Sequence, residues 1–415
     1  MIIPEIISQH FEEACFLWLL RNRAVSAPHY SLADLTKLDN RVEAHIDGLR
    51  IAGEPGWELI EQGLEQGDAG DVFAAAVLAF ESLHEDRMQL VVEAGIASPE
   101  VSRGLVSALG WLSLEQAAPL IDRMLSAELA AVRRVGVAAS AAHRRDPGAS
   151  LKKALLGDDL PLRARAAKAV GELGRGDLMP WLRDNIETSD PACRFYSAWS
   201  GTLLGDGDSL SALRPFAASD GSYGEEAVKA AARRMDLLSA HALEKELARS
   251  PQTIRLAIMC AGAMGDPVSI PRLVEQMENP ELARIAGESF TMITGADIAY
   301  EDLEGNKPQG FEAGPTESPE DEDVAMDPDE DLPWPNPELI LKWWDQRKSR
   351  FRNGTRYLMG EPISPENLQH VLRTGRQRQR AAAALELAML NPGQPLFEVR
   401  APGFRQQQLL GLPRR

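Results

Sequence analysis

The stretch Arg163–Leu182, RARAAKAVGELGRGDLMPWL, decides the fold of this chain. Ala166, Ala167, Val170 and Leu173 recur at helical spacing, so they share one narrow apolar face of a helix. That face is built from small residues, which lets a second helix approach closely. Gly174 and Gly176 end the helix, and Asp177 is placed to cap a second one carrying Leu178, Trp181 and Leu182. A helical hairpin of this size cannot bury its own apolar face. It needs neighbours.

The rest of the sequence supplies them. Basic residues anchor successive segments at Arg103, Arg133, Arg163, Arg194, Arg255 and Arg284, in steps of 30, 30, 31, 61 and 29 residues. Turn glycines recur independently at Gly174, Gly205, Gly265 and Gly295. A third series sets a capping residue before proline, at Ser98-Pro99, Asp190-Pro191, Ser250-Pro251 and Asn279-Pro280. Proline suits the first helical turn, where its missing N–H costs nothing. Three signals with one period of about 30 residues predict an all-α fold, an α-solenoid of stacked helical hairpins.

The pattern resembles HEAT repeats, carried by Arg163-Ala-Arg-Ala-Ala-Lys-Ala-Val-Gly-Glu-Leu-Gly and, more loosely, by Arg255-Leu-Ala-Ile-Met-Cys-Ala-Gly-Ala-Met-Gly-Asp-Pro. The repeats near Arg133 and Ala227 are degenerate. The first lacks the turn glycine, and Arg233-Arg234-Met235-Asp236 stands in its place in the second.

Taken in order, residues 1–56 are expected to form an N-terminal helical cap. Ile7, Phe11, Cys15, Trp18 and Leu19 follow one helical stripe, and a second helix starts after Ser31 with Leu35, Leu38, Val42 and Ile46. Residues 57–300 hold the repeats. Residues 301–333 form an acidic insert: Glu312 to Asp331 contains ten carboxylates and no Lys or Arg. Such a segment buries too little apolar surface to order itself and is expected to be flexible. Residues 334–415 form a basic helical region expected to cap the far end of the solenoid.

Net charge is −18 and unevenly placed. From Lys342 onward 14 basic and 5 acidic residues give +9, so the remainder, with 30 basic and 57 acidic, carries −27. An acidic body repels nucleic acid and attracts basic proteins. No stretch is long and apolar enough for a membrane span, and the first twenty residues lack the basic region of a signal peptide. Three widely spaced cysteines suit a reduced cytoplasmic protein.

A sharper resemblance covers most of the chain. Phe290-Thr-Met-Ile-Thr-Gly-Ala-Asp297, the acidic insert, and LPWPNPELILKWWDQRKSRFRNGTRYLMGEP look like a HEAT-repeat family of Gram-negative bacteria. The genes of that family are associated with type VI secretion clusters. Its specific part is Trp343-Trp344, Phe351, Gly354, Arg356-Tyr357 and Gly360. The resemblance implies a cytoplasmic partner of a secreted effector or toxin and brings no catalytic residues with it.

No enzyme, cofactor or metal chemistry is expected. The seven histidines are scattered without ligand spacing. Gly205-Asp-Gly-Asp-Ser209 lacks the glutamate of a calcium loop, and Gly171-Glu-Leu-Gly-Arg-Gly176 follows a helix rather than the strand a phosphate loop needs. Two binding roles remain: an immunity protein that neutralises a basic toxin such as a nuclease, and an adaptor that loads an effector onto the secretion spike. An enzyme on a HEAT scaffold is the minor alternative. If second helices line the inner face, the partner-binding candidates are Asp177, Asp184, Glu187, Asp206 and Asp208. Trp343 and Trp344 either anchor the partner or dock the C-terminal helices on the last repeat; adjacent helical residues point about 100° apart, so both are buried only at a junction of two surfaces.

Overall fold

The computed structural model describes residues 3–64, 67–314 and 326–413. Its α-helices are α1 Pro4–Ala24, α2 Leu32–Ala52, α3 Glu54–Gly63, α4 Ala69–Ser82, α5 Glu85–Gly95, α6 Ser102–Trp111, α7 Leu114–Leu125 and α8 Ala130–Ala142. They continue with α9 Ala149–Leu156, α10 Leu160–Glu172, α11 Met179–Ile186, α12 Pro191–Leu203, α13 Gly207–Ala217, α14 Gly224–Arg234 and α15 Leu237–Leu247. The last are α16 Ile254–Met264, α17 Ile270–Gln276, α18 Pro280–Thr294, α19 Pro337–Arg347, α20 Pro365–Thr374, α21 Gln377–Leu390 and α22 Gly403–Leu409. The only named strands among the described residues are β1, Tyr357–Leu358, and β2, Glu361–Pro362. They form an antiparallel hairpin whose turn residues Met359 and Gly360 both have positive φ. The fold is the all-α solenoid that the period predicts.

The chain divides into two compact units, Met1–Leu204 with Asn391–Arg415, and Gly205–Leu390. This division differs from the boundaries expected at 56, 300 and 333. It falls inside the repeat series, and residues after 390 return to the first unit.

In the first unit a continuous layer runs α1, α4, α6, α8, α10 and α12, each packed on the next. Trp18 stacks on Phe73 at 5.3 Å between ring centroids, and Trp111 meets Phe73 edge-on at 5.4 Å. In the second unit the layer is α14, α16 and α18. From α7 onward each second helix packs mainly on the first helix that follows it: α7 on α8, α9 on α10, α11 on α12, α13 on α14, α15 on α16 and α17 on α18. The hairpin expected across Gly174 is therefore corrected. Its left-handed backbone (φ 69°) separates successive hairpins, and the tight pairing of α11 closes across Asp190-Pro191 onto α12. Gly205, Gly265 and Gly295 also have positive φ, as their place in the series requires.

Asp190 and Asn279 cap α12 and α18, each with proline at the first helical position. Ser98 and Ser250 lie upstream of α6 and α16, which start at Ser102 and Ile254.

The small-residue face closes as its composition demands. Ala166, Ala167 and Val170 are fully buried. A Cβ on Gly171 would stand 2.8 Å from the Ser200 backbone, while Ser200 Oγ donates to the Ala167 carbonyl at 2.7 Å. The second unit repeats the device: Gly262 faces Ser289, whose hydroxyl donates to Ile258 O at 3.0 Å. In both cases a glycine admits the next helix, and a serine there bonds the carbonyl four residues before the glycine.

Gly171→Ala is therefore expected to destabilise the chain by about 1–3 kcal/mol through overpacking. Gly176→Ala, where a Cβ meets nothing within 4 Å, should stay within about 0.5 kcal/mol of the parent. Urea midpoints of the two variants check the contrast.

Candidate interaction surface

The acidic candidates are placed unequally. Asp177, Asp184 and Glu187 belong to the first unit, and Asp206 and Asp208 to the second. Asp177, Asp184, Glu187 and Asp208 are exposed. Asp177 is held by both branches of Arg175 at 2.7 Å, and those hydrogen bonds lower its pKa. Asp206 is corrected: it is buried and caps α13, accepting from the amide and hydroxyl of Ser209 at 2.9 and 2.6 Å. Continuous helix-on-helix packing in each unit runs through the first helices.

Trp343 and Trp344 are corrected as partner anchors, since both are 8% exposed. Trp343 donates its indole N–H to Glu301 at 2.6 Å and meets Phe290 edge-on at 5.5 Å. Trp344 packs on Phe351 at 5.3 Å, which in turn meets Tyr357 at 5.1 Å. The adjacent indoles point to two surfaces, the α18 face and the loop after α19, and dock the one on the other.

The C-terminal part is bonded to the repeats in both units. In the second unit Met359 N donates to Met292 O at 2.7 Å, Gly360 N to Ile293 O at 3.1 Å and Tyr357 N to Gly265 O at 2.9 Å. Arg356 then bonds Met264 O at 3.0 Å and Arg233 O at 2.9 Å, and Arg234 holds Met389 O at 3.1 Å. In the first unit Leu396 N donates to Glu172 O at 3.0 Å, and Arg144 reaches Leu396 O and Glu398, the latter at 3.0 Å. Arg405 bonds Gly110 O and Leu112 O at 2.7 and 2.8 Å, and Gly403 N bonds Asp39. In each unit the later chain is thus bonded to main-chain groups at the repeat turns. A side chain at Gly265 would stand 2.3 Å from Tyr357 O, and one at Gly295 2.6 Å from Met359 O. These glycines serve a close approach as well as a turn.

The degenerate turns now have an explanation. Where glycine is missing, arginine grips the returning chain: Arg144, with φ 53°, in the first unit, and Arg233 with Arg234 in the second. Glu386, 3% exposed, receives Arg356 and lies 3.5 Å from Arg233. Burial pushes the Glu386 carboxyl up against the opposing pull of the two guanidinium groups.

The acidic insert is corrected in its described part. Its base is closed by Gly305 N to Trp334 O and Asn336 N to Leu303 O, both 2.8 Å. Asp329 is 2% exposed and accepts both Arg255 branches at 2.6 Å. Arg284 bonds Asp327 at 2.6 Å and Asp329 O at 2.8 Å, and lies 4.6 Å from the Trp334 ring centroid. Burial opposes the Arg255 charge, but the bonds to Asp329 outweigh it and raise the pKa. The expected flexibility of residues 315–325 lies outside the described residues.

Among the described residues no three His, Cys, Asp or Glu are placed to hold a metal ion. Cys15, Cys193 and Cys260 are buried free thiols whose pKa values burial pushes up. A cavity of about 260 Å³ between α2, α3 and α4 has Trp57 in its wall, with Arg50 already paired to Glu81. No described helix is long and apolar enough to cross a membrane.

Fold and surface together define a helical-repeat protein whose turns are bound by its own C-terminal chain. No family model matches the chain, and no curated protein matches it. Among solved structures, the X-ray structure of YibA from Escherichia coli is similar, with 12% identity, a TM-score of 0.40, and coverage of 60% of this chain and 96% of that one.

Where the returning chain meets α6, His143 Nε2 lies 2.8 Å from Leu109 O. Burial and the charge of Arg405 push the His143 pKa down from 6.5 to about 4. A folded-state pKa below the unfolded value means stability present above pH 6.5 and lost as pH falls toward 4. Limited proteolysis should therefore cut residues 391–413 faster at pH 5 than at pH 7.5. His143→Gln, which keeps a donor for Leu109 O and cannot charge, should flatten that difference.

Proposed function

We propose that this protein is a type VI secretion-associated immunity protein that binds and neutralises a basic antibacterial effector, such as a nuclease, in the cytoplasm of the producing cell. The observation that carries the proposal is the net charge of −18 on a helical-repeat scaffold. A stacked repeat offers an extended rigid surface at little ordering cost. Carboxylates on it can occupy a basic substrate cleft as phosphate mimics and speed encounter electrostatically. The exposed Asp184 and Glu187 are suited to such contact; Asp206, Trp343 and Trp344 are withdrawn, being engaged inside the fold. The resemblance of the Trp343–Gly360 segment to the secretion-associated family supplies the biological setting.

An adaptor that loads an effector onto the spike would use the same surface. The two roles differ in consequence, because only an immunity protein is needed for survival when the toxin is made inside the cell.

Binding kinetics against the toxin encoded by the neighbouring gene test the proposal. Asp184→Lys with Glu187→Lys should lower the association rate about tenfold at low salt and leave the circular dichroism spectrum unchanged. Salt-independent affinity that survives the reversal would rule out electrostatic recognition. Survival of the toxin-expressing cell without this protein would rule out immunity.

A further inference from the structure

The anchor arginines behave differently in the two units. In the first, Arg133 donates to Ala127 O and Glu128 O at 2.8 and 2.6 Å, and Arg163 to Gly157 O at 2.8 and 2.5 Å. Each binds carbonyls of the turn that ends the preceding helix. In the second unit that task passes to a hydroxyl: Thr253 Oγ1 donates to Leu247 O at 2.7 Å. Arg255 is thereby released, and both its branches take Asp329 at 2.6 Å.

Arg284, one repeat on, is 6% exposed and holds Asp327 and Asp329 O, with its guanidinium against Trp334 and Phe311. Arg378 completes the set by donating to Pro328 O at 3.0 Å. Three arginines and two aromatic rings thus surround one Asp-Pro-Asp segment. The fit is incomplete, because the buried Nε of Arg284 has no hydrogen-bond partner among the described residues. A buried donor left unmet is unfavourable. A ligand that satisfied it would gain over Asp327.

We propose that Arg255, Arg284 and Arg378 form a receptor for an acidic peptide segment of a partner protein, held closed in the free chain by Asp327–Asp329 as a tethered ligand. Paired forks matched to carboxylates supply specificity for Asp and Glu, and the aromatic wall desolvates the guanidinium group. The tether sets the threshold. A segment linked to its own site acts at an effective concentration on the order of millimolar, so a free peptide that binds near 100 µM is weakened about tenfold. Only a stronger acidic ligand, or one presented multivalently, displaces it. This site differs from the acidic surface proposed for the toxin, and does not depend on that assignment.

The test uses the full chain and a fluorescein-labelled heptapeptide of Met326–Leu332, MDPDEDL, followed by anisotropy. Asp327→Asn with Asp329→Asn vacates the receptor and should bind the peptide saturably, at least tenfold tighter than the parent chain. Adding Arg284→Gln should abolish binding, and the peptide MNPNQNL, with every side-chain carboxylate replaced by its amide, should not bind. Should the double variant lose its helical spectrum, Asp327→Asn alone frees the Arg284 fork with the Arg255–Asp329 pair intact, and should still bind the peptide more tightly than the parent chain. The proposal is overturned if the folded variant does not bind MDPDEDL. It is equally overturned if the parent binds as tightly or the amide peptide binds as well.

Discussion

Close approach of successive first helices is the constraint on which the rest depends. Gly171 against Ser200 and Gly262 against Ser289 bring backbones near enough for a serine hydroxyl to bond a carbonyl of the preceding helix. A Cβ at either glycine would push the layer apart. Each hairpin is too small to bury its own apolar face, so the layer of first helices is the core of each unit, and second helices pack against it. In such a stack energetic coupling runs mainly between neighbours. Long-range contacts must be added by other parts of the chain.

The residues after Phe351 add them. Main-chain hydrogen bonds at Gly265 and Ile293 in the second unit, and at Glu172 in the first, fasten the later chain to turns the repeats already possess. Most of these bonds join backbone to backbone and need only a small residue at the turn. At the turns without glycine the attachment is made by Arg144 and Arg234 to main-chain carbonyls, and by Arg233 to Glu386. The buried Glu386 cluster is costly to break on one side, since an unpaired charge would be left inside. This clamp ties α14 to α21 within the second unit.

Charge is used in two ways that net charge conceals. Some carboxylates face water, as Asp184 and Glu187 do; others, such as Asp206 and Asp329, are consumed inside the fold. A count of acidic residues overstates the surface available to a basic partner. Only the local partners of each carboxylate separate the two classes.

Much of the architecture was legible in the residues alone. The period of about 30 residues, the glycines at Gly174, Gly205, Gly265 and Gly295, and the buried Ala166–Val170 face follow from local rules: helical spacing, positive φ at a helix end, and small residues where helices meet. The degenerate turns were visible too, but not their purpose. That Arg144 and Arg234 hold chain more than 150 residues away is a long-range fact with no periodic trace. The insert misled because a run of carboxylates reads as solvated whenever its counter-charges are unknown, and Arg255 and Arg284 looked committed to their own repeats. Local chemistry determined helices, turns and stacking order; which partner each charged group met was decided only in three dimensions, because pairing between distant residues depends on where the folded backbone brings them.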